Sequence, residues 1–187
     1  MTLVLEEMGG VAYTKGIELD DDHKEIHFSL NYIHQRAEAV KAESEIDGVL
    51  VHEMVHCWQH DAKGTCPGGL IEGIADFVRL KAGLSPTHWK RPAKRGGKWD
   101  NGYQVTAYFL EWLEEKELEG AVRRINAELR DEKYKVEGFW KKLFGKGVGE
   151  LWEEYQGALT DEDDGDQKEK EADAVDQKAK RLLELDM

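Results

Sequence analysis

Residues 52–56 read His-Glu-Met-Val-His. On a helix, side chains at i and i+4 stand one above the other, so both imidazoles can reach a single ion. Zn²⁺ suits such a pair, at about 2.0–2.1 Å from each ring nitrogen. Glu53 sits one position round the helix, beside the ion and not on it. From there it can take a proton from a metal-activated water, whose pKa the ion lowers to about 7. Chance writes this pattern in roughly 3% of chains of this composition, so the motif alone leaves two ordinary buried histidines as the plain alternative.

Catalytic zinc needs a third protein ligand and one open position. A third histidine ten residues after the first is excluded, because that position is Ala62. His60 continues the i+4 series, but three histidines along one straight helix cannot close round one tetrahedral ion. His60 is expected near the helix end, in solvent. Glu72 and Asp76 stand at i and i+4 in Glu-Gly-Ile-Ala-Asp and share a helix face. Glu72 is the expected third ligand. Asp76 is expected to accept the other ring N–H of a ligating histidine, which fixes the tautomer and orientation of the ring. The alternative is a Glu favoured by a helix N-terminus and an Asp in a surface pair. It fits poorly with Ile71, Ile74, Ala75 and Phe77 around them. Together these residues describe hydrolysis of a peptide bond with one zinc ion and Glu53 as general base.

Two helices must hold that set. Ser44-Glu45-Ile46-Asp47 carries N-cap signals for the first, which is predicted to run to about Asp61, with Gly64 beyond. Leu50, Met54 and Cys57 on one side, and Val51, Val55 and Trp58 on the next, predict a helix enclosed by the domain. The second helix is predicted over 70–82, opened by Gly68-Gly69 and ended by Gly83 and Pro86. A third runs from Asp100 or Asn101 to about Glu117, followed by shorter ones at 120–131, 136–144 and 148–159. Upstream, residues 24–30 alternate, with Ile26, Phe28 and Leu30 opposite Glu25, His27 and Ser29. That period of two predicts a half-buried strand, and residues 11–30 read as two or three small antiparallel strands. The fold class is therefore α+β: a small antiparallel N-terminal sheet, an active-site helix and a mostly helical C-terminal half. Trp58, Trp112, Trp140 and Trp152 fall in apolar helical patterns and are expected in the core.

The chain has 187 residues and a net charge of −13. Residues 1–159 read as one domain. Residues 160–187 carry eleven acidic and five basic side chains and read as a charged tail, disordered or a lone helix. No nucleic acid or membrane partner is expected of a chain this acidic. Lys90, Arg91, Lys94, Arg95 and Lys98 form a basic loop, read as solvated. No apolar run approaches the roughly 20 residues of a membrane span. The opening MTLVLEEMGG lacks the basic and apolar regions of a signal peptide, so the chain as written reads as cytoplasmic. Cys57 and Cys66 are open to two readings, one bridge or two partly buried thiols.

The run HEMVHCWQH…GTCPGGLIEGIADFVRLKAGL resembles the plant basic secretory protein family and its fungal and bacterial relatives. The resemblance continues through His88-Trp89, Trp99-Asp100-Asn101-Gly102-Tyr103 and Thr106–Leu110 to Leu143–Lys146, Leu151-Trp152 and Tyr155. It also takes in Gly10-Val11-Ala12 and Ile26–Ser29 upstream, and so covers about residues 9–159. It implies a zincin-like fold of the gluzincin type, one Zn²⁺, a peptide or protein substrate, and secretion. In such enzymes the third ligand is the Glu of a Glu-x-x-x-Asp pattern, which falls on Glu72 and Asp76. Tyr103 lies within the family's pattern and opens the third helix beside a glycine. It is the expected donor to the oxyanion, with Tyr108 second; the alternative for both is packing with the hydroxyl at the surface. His27 and Ser29, on a presumed edge strand, are expected to line the substrate cleft, with ordinary exposed strand positions as the alternative. A different function on the same fold is a non-catalytic, zinc-containing defence or carbohydrate-binding protein. Glu53 favours the peptidase, because a binding protein has no need of a general base there. A structural zinc would call for a closed, Cys-rich site, and Cys57 and Cys66 lack that spacing.

Overall fold

A computed structural model describes residues 1–17, 20–37, 42–90, 97–116 and 120–159. The acidic tail and the centre of the basic loop lie outside the described residues. Three strands, β1 (Thr2–Glu6), β2 (Ala12–Ile17) and β3 (Asp20–Ser29), form a sheet in the order β1-β3-β2. β2 pairs antiparallel with β3, as the alternation predicts, but β1 pairs parallel with β3. The sheet is therefore mixed, and the reason is topological. The chain leaves β1, reverses through Gly9-Gly10 and returns on the far side of β3, where a second reversal sends β3 along the direction of β1. Gly10 takes the left-handed conformation that this reversal needs, with φ of 79°.

The central place of β3 overturns its reading as an edge strand. Both of its faces are covered: Ile26 and Phe28 are 1% exposed on one, His27 is 7% and Ser29 0% exposed on the other. Leu30 does not continue the strand. It begins α1 (Leu30–Arg36), whose N-terminus is capped by Ser29 Oγ accepting from the Tyr32 N–H.

α2 (Ala42–Trp58) crosses beneath β2, and α3 (Gly68–Lys81) packs beside it. α2 stops earlier than the sequence predicts. Ala62, Lys63 and Gly64 turn left-handed in succession, with φ of 55°, 58° and 77°. His60 therefore lies off the helix, where its N–H donates to Asn126 and its Nε2 accepts from Arg130. Nor is α2 enclosed on all sides. The sheet covers one flank and α3 another, which leaves Met54 39% and Trp58 65% exposed. Trp58 is thus not a core residue.

The main core lies behind α3. α4 (Tyr103–Lys116), α5 (Ala121–Glu128), α6 (Val136–Phe144) and a seventh helix, α7 (148–159), enclose Phe109, Leu110, Leu113, Ile125, Trp140 and Leu151, all fully buried. Each such side chain contributes about 1.5–3 kcal/mol by leaving water. Trp112 and Trp152 pack against this cluster, as expected. The α3–α4 contact is closest at Gly73, where a Cβ would stand 2.2 Å from Thr106 Cγ2. Only glycine lets the two backbones approach so far, and this approach sets the depth of Glu72 and Asp76, its neighbours on α3. Cys57 and Cys66 are both free thiols.

Candidate metal and catalytic centre

α2 and α3 run antiparallel, so their facing residues meet in successive layers. In the first layer His56 meets Glu72, with 3.9 Å from Nε2 to Oε2. In the next His52 lies between Glu72 and Asp76: its Nε2 is 3.1 Å from Glu72 Oε2 and its Nδ1 is 2.7 Å from Asp76 Oδ1. The two imidazole Nε2 atoms are 3.1 Å apart. A third layer sets Gly48 against Arg79, whose guanidinium donates to Glu45 and to the Leu84 carbonyl.

Ligand atoms from His52, His56 and Glu72 lie within 4.8 Å of one another. The surroundings decide which atoms are offered. Asp76, 2% exposed, occupies the Nδ1 side of His52. The Gln59 side-chain oxygen occupies the Nδ1 side of His56 at 2.8 Å, while the Gln59 amide donates to the Ile71 carbonyl. Each ring therefore turns Nε2 inward. Two imidazole nitrogens and one carboxylate oxygen, oriented by outer hydrogen bonds, make a donor set that fits a zinc ion.

The charges fit a cation too. Burial disfavours a charged His52 ring, yet its bonds to Asp76 and Glu72 and the nearby charges outweigh burial and raise its pKa to about 9. The bond from His52 holds the Glu72 carboxyl below the usual carboxylate range, against the opposing effect of burial. Without metal, a proton on His52 partly balances this acidic cluster.

Glu53 projects beside His52, His56 and Glu72 and is 6% exposed. It makes a cross-element bond that nothing in the sequence signalled. Thr14 Oγ1, on β2, lies 2.8 Å from Glu53 Oε2 and 2.9 Å from the Glu53 carbonyl. Tyr103 stands at the mouth of the site, its ring stacked on that of His52 at 6.4 Å between centroids and 10° between planes. It is 59% exposed and adopts φ of 46°, a strained conformation for an aromatic residue. The charge of Glu72, then burial, raises its pKa, so the hydroxyl keeps its proton. Tyr108 is buried in the core at 7% exposure and stays there.

These residues share a cleft of about 1010 Å³, with Val11 and β2 from Ala12 to Gly16 as one wall and Val49, Trp89, Tyr103 and Gln104 among the others. His27 and Ser29 are not brought to it. His27 is held between Glu6 and Glu25 and stacks on Tyr13, and Ser29 bonds the Met8 carbonyl as well as capping α1. The cleft wall is β2, the free edge beside β3. The Ser29 N–H donates to the Val11 carbonyl, so residues 11, 13 and 15 exchange bonds with β3 and the main chain of Ala12 and Thr14 faces the other way. Gln104 adds a buried Oε1 without a hydrogen-bond partner among the described residues.

Sequence reasoning missed Thr14, Gln59 and Gln104. Gln59 had a usable signal, three residues past His56 within the helix that the sequence predicts to run to about Asp61. Thr14 had none, being 39 residues from its partner.

Among family models, the one for the BSP family, described as a peptidase of plants and bacteria, matches residues 1–155. Comparison with curated proteins and with solved structures gives no match.

Proposed function

Because this chain belongs to the BSP family of peptidases of plants and bacteria, we propose that it is a zinc metallopeptidase that cleaves peptide bonds with Glu53 as general base. The observation that carries this reading is the convergence of His52, His56 and Glu72 within 4.8 Å beside a buried Glu53. Those three residues would hold one Zn²⁺, whose Lewis acidity makes a water more acidic and polarises a carbonyl.

The rest of the chemistry falls to the chain itself. A substrate segment adds to β2 as an extended strand, bonding the outward main-chain groups of Ala12 and Thr14. Glu53 accepts a proton from the attacking water and passes it to the leaving amine nitrogen. The Tyr103 hydroxyl donates a hydrogen bond to the substrate carbonyl oxygen as negative charge gathers there. Asp76 and Gln59 keep the two imidazoles in the ligating tautomer.

The test is metal content and peptidase activity on a mixed peptide library. His52→Ala, His56→Ala and Glu72→Ala are each expected to lose stoichiometric zinc, and His60→Ala to keep it. Glu53→Gln is expected to keep zinc and lose at least about 10²-fold in turnover. Equal turnover in wild type and Glu53→Gln rules out Glu53 as the base. Zinc bound in both with turnover in neither replaces the peptidase reading with the binding-protein one.

A further inference from the structure

We infer that Thr14 is a positioning residue for Glu53, coupling the substrate-binding edge of the sheet to the general base; this rests on the peptidase reading above. Thr14 is half-buried on β2, and its Oγ1 lies 2.8 Å from one carboxylate oxygen of Glu53 and 2.9 Å from the carbonyl of the same residue. A hydroxyl carries one proton, so at any moment it donates to one of these two acceptors. Either bond ties α2 to β2 at residue 53, and the bond to Oε2 also fixes the rotation of the carboxylate. Glu53 Oε1 has no bond to the described residues and is not sealed off from the cleft. The division is therefore simple. Oε2 is held by the strand and Oε1 is left for the proton.

The same residue presents its main chain to the cleft, because position 14 faces away from β3. A substrate strand paired there lies on the residue that holds the base. Docking thus fixes the distance between scissile bond and base through one residue of β2. Threonine suits the role: its branched Cβ restricts χ1 on a strand, so the hydroxyl is aimed before substrate arrives.

Thr14→Val keeps the shape and removes the hydroxyl, and Thr14→Ser keeps the hydroxyl. In the zinc-loaded protein, Thr14→Val is expected to lower kcat roughly 10- to 100-fold, the scale of a misplaced reacting group. KM should stay within about threefold of wild type, as for an interaction made only in the transition state. Thr14→Ser should restore most of the loss. In the Glu53→Gln background, Thr14→Val should lower kcat no further, because no base remains to be placed. A readout without activity accompanies these: in the metal-free protein, melting-temperature losses for Thr14→Val and Glu53→Ala should be less than additive in the double variant. Additive losses overturn the inference, as does an equal fall in kcat in the Glu53→Gln background. A Thr14→Val variant as active as wild type overturns it while the peptidase reading stands. A wild type that binds zinc and cleaves nothing overturns both.

Discussion

At the scale of single residues, the proposed metal site sets one proton against one metal ion. The Asp76 and Glu72 carboxylates raise the His52 pKa to about 9, so the metal-free protein carries a proton there at neutral pH. A zinc ion held there, as proposed, would have to displace it. Apparent zinc affinity is therefore expected to climb as pH rises from about 6.5 toward 9 and to level off above, with about one proton released per ion bound at pH 7. The stability of the metal-free fold follows the opposite course. A raised histidine pKa favours folding fully below the unfolded value near 6.5, and that contribution fades as pH rises through about 9. Zinc titrations and melting curves between pH 6 and 9 check both directions. Asp76→Asn removes the charge but keeps the shape. It is expected to weaken zinc binding roughly 10–100-fold and to move the rise in affinity to lower pH. An unchanged affinity and pH profile would remove Asp76 from the site.

At the scale of elements, the layers between α2 and α3 do the positioning, and they depend on how closely α3 lies against α4. Gly73→Ala would bring a Cβ to 2.2 Å from Thr106 Cγ2, and Thr106 is itself fixed by a bond to the Trp99 carbonyl. Relief requires α3 to shift with Glu72 and Asp76 on it. The variant is expected to lose about 1–3 kcal/mol of stability, the range for overpacking, and to bind zinc more weakly. Chemical unfolding and zinc titration of the same sample measure both. The helices from Gly68 onward were readable in the sequence because their apolar residues recur with the helical period and glycines mark their ends. The N-terminal third was read less well. Alternation places β3 in a sheet, but it does not reveal whether a strand is central or at an edge. That depends on where β1 returns, and it decided that Tyr13 and Thr14, not His27 and Ser29, would face the cleft.

At the scale of the whole molecule, the matched family region ends at residue 155, and the net charge of −13 is drawn in good part from the acidic segment beyond it. Truncation after Leu159 is expected to leave zinc content and melting temperature unchanged, because that segment has little apolar surface to bury. A large fall in melting temperature would show that it docks on the domain. The residues gathered at the candidate site were legible in the sequence: His52, Glu53 and His56 from one helical spacing, Glu72 and Asp76 from a second. Local periodicity fixes which side chains share a helix face, and metal chemistry restricts which of them can serve. Tertiary structure alone decided what surrounds them. The Thr14–Glu53 bond, the exposure of Trp58 and the two free thiols depend on how elements far apart in the chain lie against one another. No local pattern encodes such contacts, because packing and topology are settled only when the whole chain has folded.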